Sequence, residues 1–298
     1  MGECTSFAKL KAIHLSTTDL SSSVSGQDPA SVPPPVAQAR KRHSWASGRV
    51  ILALMLREMS TRYGRSPGGY LWAFLEPIGV IFIMAIGFSL LVRTPPLGSS
   101  FILFFATGML PFTLYQNVAQ TVGGSIGFSK SLLRYPIVTW IDAMIARFTL
   151  NALTGLLVTY ILIAGILKLT ETRVIIDFAP ILLALGLAAF LGLGIGAINC
   201  ALNGLFAPWP MIWSIITRPL FLASGILIMY EDLPKVAQNI IWYIPHMHIS
   251  GLMRSGFYPT YTPEYVSVTY VVAFCLLTLC LGLILLGRFH RDILNNGR

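Results

Sequence analysis

The 298-residue chain is 55% hydrophobic and 11% charged, with a formal net charge of +9 and a mean hydropathy of +0.71. A soluble domain carries roughly twice that charged fraction, which excludes an ordinary water-soluble globule. The basic residues are spread along the chain rather than gathered on one groove-reading element, so nucleic acid does not explain the charge.

Residues 1–46 are rich in Ser, Thr and Pro, carry the run Ser31-Val32-Pro33-Pro34-Pro35, and lack periodic apolar positions. Such a segment buries too little apolar surface to fold, so it reads as a disordered cytoplasmic tail, and no secretory signal opens the chain. From Ser47 to Tyr63 the pattern predicts an amphipathic helix. Ile51, Leu52, Met55, Leu56, Met59 and Tyr63 fall on one face, and Arg49, Ala53, Arg57 and Ser60 on the other. Val50 and Leu54 break the pattern. An apolar stripe edged by arginines just ahead of a span suits a helix lying in the membrane interface, with residues 47–69 as interface helix and linker. The alternative is a soluble helix packed on a partner.

Six apolar stretches follow, at about Tyr70–Val92, Phe101–Val122, Met144–Leu167, Phe178–Leu205, Met211–Tyr230 and Tyr265–Gly287. They predict an all-α polytopic membrane protein with six transmembrane helices in residues 70–291, and residues 292–298 as a second tail. Six crossings put both termini on one side. That side would hold Lys9, Lys11, Arg40, Lys41, Arg42, Arg49, Arg57, Arg62, Arg65, Lys130, Arg134, Arg288, Arg291 and Arg298. The other side would hold only Arg93, Lys168, Arg173, Lys235 and Arg254. The excess of positive charge assigns both termini to the cytoplasm.

Two loops stand out. The inside loop Gly123–Asp142 is long enough for a helix of its own, and Phe128, Lys130, Arg134 and Pro136 give it charge, aromaticity and a stop. The last outside loop, Glu231–Glu264, is semi-apolar on either side of Pro245. Two short re-entrant helices would explain it, since neither half can span. No internal repeat relates the halves, which weakens a secondary-transporter reading.

Candidate chemistry is sparse. Cys4, Cys200, Cys275 and Cys280 form no CxxC pair and read as small hydrophobes. No Gly-Lys dipeptide occurs, so the chain has no Walker A loop and no nucleotide site of its own. His246-Met247-His248 lacks a third ligand nearby, and no metal is expected. Polar residues inside spans are costly and therefore informative. Thr113, Gln116, Asn117 and Gln120 make one stripe, and Gly192, Gly196, Asn199 and Asn203 another; each is either a pore lining or a packing seam. Glu76, beside Pro77, is expected to pair with Arg57 or Arg147. Arg218, beside Pro219, suits a water-filled cavity where a cation holds an anionic substrate, or else caps carbonyls. Tyr115, Tyr230, Trp242, Tyr243, Tyr258, Tyr261 and Tyr265 collect toward the outer face, as an interfacial belt or as sugar-stacking walls of an exit path.

Several runs carry a resemblance. Arg62-Tyr63-Gly64-Arg65, Gly69-Tyr70-Leu71-Trp72-Ala73 and Leu75-Glu76-Pro77 resemble the approach to the first span in polysaccharide-export ABC transporter permeases of the capsular type. Gly108-Met109-Leu110-Pro111-Phe112, Arg218-Pro219-Leu220-Phe221, Ser224-Gly225, Arg254-Ser255 and Phe257-Tyr258-Pro259 continue it in order. The resemblance covers about residues 50–291; the N-terminal tail has no counterpart in it. It implies an ABC-2 type permease of the bacterial inner membrane. The permease would pair with a second copy of itself and with two separate ATPase subunits that hold ATP and Mg. It implies that Phe128, Lys130, Leu132 and Arg134 seat the inside loop in the ATPase. The translocation path or gate would then draw on Glu76, Gln116, Asn117, Gln120, Arg218, Tyr230, Trp242, Tyr243, Arg254 and Tyr258.

The expected function is ATP-driven export of a lipid-linked, acidic capsular polysaccharide, with a periplasm-spanning export protein as a further partner. An exporter of O-antigen or teichoic-type polymer is the nearest alternative, and a drug or lipid exporter a more distant one. A non-transport scaffold remains from another class; an intramembrane enzyme is disfavoured by the lack of paired acids.

Overall fold

The computed structural model describes residues 44–63, 71–91, 94–134, 138–170 and 176–295. Most of the expected tail and of the linker after the interface helix lies outside the described residues. The chain is all-α: among the described residues there is no strand. Among the described residues, five helices are long and apolar enough to cross a membrane. They are α2 (Leu71–Leu91), α3 (Phe101–Gly123), α5 (Trp140–Thr170), α6 (Phe178–Leu205) and α10 (Val268–Asn295).

The expected fifth crossing, Met211–Tyr230, is not one continuous helix of that kind, so among the described residues the structure supports five of the six expected spans. Helix α7 runs only from Trp209 to Leu222, 14 residues, or about 21 Å at 1.5 Å per residue, short of a bilayer core of about 30 Å. Pro219 disturbs its last turn, and Gly225 then takes φ +76, a conformation that ends a helix. Beyond it, Ser224 and Ile226 are buried as irregular backbone. Such backbone is tolerated at depth only where protein covers it. Here Arg254 does so, donating from Nη2 to the Ile226 carbonyl at 3.3 Å.

Helix α6 is the spine. Its glycines alternate between two neighbours: a Cβ on Gly192 or Gly196 would fall 2.9 Å or 2.7 Å from the Cβ of Val118 or Val122 on α3. On the other side, α10 lies so close that Gly282 leaves no room for a Cβ beside Ala197. Small residues let helices approach closely where lipid offers no hydrophobic drive for association. The first two glycines of the sequence stripe are thus a packing seam.

The remaining elements cap the two ends of this bundle. At one end, α9 (Pro245–Ser255), preceded by the short α8 (Lys235–Ile241), packs against α6 and α3, and just beyond it Asp177 N–H donates to the Gly256 carbonyl at 2.9 Å. His248 fixes this cap: its Nδ1 accepts from Ser267 N–H at 3.2 Å, so its Nε2 donates to the Trp242 carbonyl at 2.8 Å. At the other end lie the short α4 (Ser125–Phe128) and α1 (Ser44–Tyr63), which packs on α5. The end of α10 is there too, with His290 6.0 Å from the Trp140 ring. The first and last described helices therefore share one end of the molecule.

Helix α1 differs from its expected face. Leu54 is buried and packs with Val50, Ile51, Met55 and Leu132 against Ala143 and Ala146 of α5. Leu52, Leu56 and Met59 form a separate exposed stripe. The two residues that broke the sequence pattern belong to a second apolar face, the one bound to the bundle.

Candidate functional site

The polar stripe of α3 is left uncovered by its neighbours, because α2 and α7 flank it instead of closing over it. Helix α2 touches α3 through Pro77, Ile81 and Ala85, four residues apart, and turns Phe82, Ile83 and Leu90 outward. Helix α7 has no buried residue. One of its faces carries Trp213, Ser214, Thr217, Arg218 and Phe221; the opposite face exposes Met211, Ile212, Ile215 and Ile216. Between them lies a cleft of about 710 Å³. A smaller chamber of about 280 Å³, reaching Asn151, Thr154 and Thr159 on α5, shares Glu76, Pro77, Thr113 and Asn117 with it.

The structure therefore brings together Glu76, Gln116, Asn117, Gln120 and Arg218 on one cleft. Among the described residues, no hydrogen bond engages the side-chain amides of Gln116, Asn117 and Gln120. The α6 amides are committed instead: Asn203 Nδ2 donates to the Gly123 carbonyl at 3.0 Å, and Asn199 Oδ1 accepts from Trp209 Nε1 at 3.0 Å. Glu76 and Arg218 are the charged residues of this wall, and no ion pair joins them. An uncommitted acid, a guanidinium and three amides can hydrogen-bond water and the hydroxyls of a guest.

The expected partner of Arg147 is corrected. Its Nε donates to both carboxylate oxygens of Glu58, at 3.0 and 3.1 Å, and not to Glu76. Glu58, on α1, is 2% exposed, so the pair is a buried charge with a matched countercharge. The guanidinium of Arg147 also lies 4.5 Å from the ring centre of Phe128, and that of Arg57 lies 5.0 Å from it. Two cations on one ring tie α1, α4 and α5 together. Among the residues expected to meet an ATPase, Phe128 is thus held in this cluster and Leu132 packs against α1 and α5. Lys130 is half-buried in the turn after α4, and the Arg134 side chain lies outside the described residues.

The other expected path residues sit in the cap, away from the cleft. Arg254 is 1% exposed and lies 4.2 Å from the Phe104 ring centre. Burial pulls its guanidinium downward from the usual range, while the phenols of Tyr265, Tyr261 and Tyr258 and the Glu231 carboxylate draw it back up. It stays charged. Tyr258 is buried against Gly98, where φ is +72 and a Cβ would strike the ring; burial pushes its phenol up to about 12. Tyr230 stacks on Tyr265 with centroids 4.2 Å apart. Trp242 Nε1 donates to the Tyr265 carbonyl at 3.3 Å, and Tyr243 is exposed.

Two sequence motifs resolve into packing. His246 lies edge-on to Tyr115, 4.1 Å between centroids, whereas His248 turns toward Trp242; the two imidazoles diverge. The letters Gly-x-Ser-x-Gly do occur, at Gly123–Gly127. Ser125 there follows a helix rather than a strand, is 1% exposed, and faces Cys200 Sγ at 3.3 Å.

Sequence reasoning missed Trp213 and Trp209 on α7 and Glu58 on α1. The tryptophans repeat four apart inside an apolar run, and Glu58 interrupts an otherwise basic and apolar helix; both signals were legible.

The sequence profile of the ABC-2 type transporter family matches residues 49–258. The chain is 34% identical to the polysialic acid transport protein KpsM of Escherichia coli, over 78% of this chain and 90% of that protein. It is 30% identical to the capsule polysaccharide export inner-membrane protein BexB of Haemophilus influenzae, over 83% and 93%. It is 28% identical to the similarly named protein CtrC of Neisseria meningitidis serogroup B, over 82% and 92%.

Proposed function

The chain belongs to the ABC-2 type transporter family, and on that premise we propose that it is the membrane subunit of an ATP-driven exporter of capsule-like, acidic polysaccharide across the bacterial inner membrane. The names of the relatives, capsule polysaccharide export and polysialic acid transport, support the substrate class. The observation that carries the reading is the cleft itself: uncommitted amides, one acid and one guanidinium on a wall between two otherwise apolar helices. A glycan stripped of hydration in hydrocarbon would lose many hydrogen bonds per sugar, so it needs a wet, hydroxyl-compatible wall.

Two copies facing across α2 and α7 would close the cleft into a conduit. Hydrolysis of Mg-bound ATP in two partner subunits, pressing on the loop around Lys130, would drive the switch between inward and outward states. The end holding α1, α4 and the end of α10 would face the cytoplasm, following the excess of Lys and Arg there. A periplasm-spanning protein would receive the polymer at the α8–α9 cap.

The test is deletion of the gene in its own cell. Polymer should accumulate inside and the surface coat should vanish, with both restored by the intact gene and its co-purifying ATPase. A complete coat outside the deleted cell would contradict the proposal.

A further inference from the structure

Trp213 projects into the cleft wall near the end that carries α4, on the same face as Ser214 and Thr217. Its ring is backed by Trp209, with centroids 6.3 Å apart and planes 26° from parallel. Trp209 is itself pinned: Nε1 donates to Asn199 Oδ1 at 3.0 Å, and Asn199 is 4% exposed. A tryptophan of an interfacial belt keeps its N–H toward headgroups and water. Trp209 instead directs that group inward to a buried amide, so the pair is oriented by the bundle and not by the bilayer. On the same cleft, Gln120 is exposed with its amide uncommitted. A flat aromatic face of fixed orientation and a free amide on one cleft wall suit a pyranose chain, whose C–H faces stack on the aromatic and whose hydroxyls take the amide.

We propose that Trp213, backed by Trp209 and paired with the Gln120 amide, is a carbohydrate-stacking subsite at the α4 end of the cleft, the first place where a sugar of the polymer docks. The inference deepens the conduit reading and rests on it. Stacking from a rigid platform tolerates any pyranose and holds none tightly, which suits a polymer that must slide. Arg218, about a turn and a half further along α7, would then meet an acidic substituent of the next sugars.

The test uses the intact transporter in cells whose polymer is metabolically labelled with radioactive sugar. Trp213 is replaced by the photo-crosslinker p-benzoylphenylalanine, with the same replacement at Thr217 and Gln116 in the cleft and at Ile216 on the outward face. Labelled glycan should attach at 213, 217 and 116 and not at 216. Attachment at 217 and 116 with none at 213 would overturn the subsite while leaving the conduit standing; no attachment at any cleft position would overturn both. Trp213→Phe should keep export near normal, and Trp213→Ala should lower it roughly tenfold, the scale of one lost aromatic contact, at unchanged protein level. Equal export by the two variants would also overturn the subsite.

Discussion

Helices α3 and α6 and helices α2 and α7 are all apolar, yet they are held in opposite ways. The α3–α6 seam admits no extra methyl at Gly192 or Gly196, and 67% and 61% of the most apolar windows of these two helices are buried. For α2 that share is 17%, and α7 buries no residue at all. A tightly packed interior deforms little, whereas a helix that buries few of its residues can shift without breaking a core. The molecule thus joins a rigid spine to two loosely held walls, and the polar cleft lies where they meet.

Substitutions sort along that contrast, starting beside the spine. Arg147→Ala would leave the Glu58 carboxylate buried without a countercharge, at a cost of about 3 kcal/mol or more. The protein should disappear from the membrane fraction or melt far earlier in detergent, and unchanged melting would show the pair to be dispensable. Gly196→Ala places a methyl against Val122 and the Ala119 carbonyl, and should cost about 1–3 kcal/mol. Gly87→Ala on α2 meets nothing within 4 Å and should stay within about 0.5 kcal/mol. Equal melting shifts for the two would erase the distinction between spine and wall.

The walls should respond in transport and not in stability. Arg218→Ala should leave melting unchanged while lowering export of an acidic polymer at least roughly tenfold, since a charge-assisted hydrogen bond is worth about 1.5–3 kcal/mol. Unimpaired export would reduce Arg218 to a carbonyl cap. Reversing Lys130 and Arg134 to Glu should leave the protein folded and its ATPase able to hydrolyse, but with less glycan exported per ATP. An unaltered ratio would remove that loop from coupling.

The spine was the legible part of the sequence. Runs of more than twenty apolar residues have one reading, and glycines four apart on α6 announce a close approach whatever the partner. The failures have physical causes. Residues 211–230 are mostly apolar, and hydropathy cannot register that Gly225 leaves the helix, because Arg254, nearly thirty residues later, covers the freed Ile226 carbonyl. The Glu76 partner was misjudged because a buried pair is set by tertiary packing: Arg147 meets Glu58 across 89 positions of sequence. In α1 a single apolar face was sought where two exist, one for α5 and one left exposed, so Val50 and Leu54 read as noise. The α3 amide stripe was visible as a stripe, but only the positions of α2 and α7 tell that it lines a cleft.

The most direct test of the cleft as the polymer's path is selective obstruction. With Cys280, the exposed native thiol among the described residues, changed to Ser, Asn117→Cys in the cleft and Ile83→Cys on the outward face of α2 are each modified with the same bulky thiol reagent. Export into the medium or across proteoliposomes is then followed. The account predicts that modification at 117 stops export while modification at 83 leaves it intact; export that continues past a blocked residue 117 would contradict it.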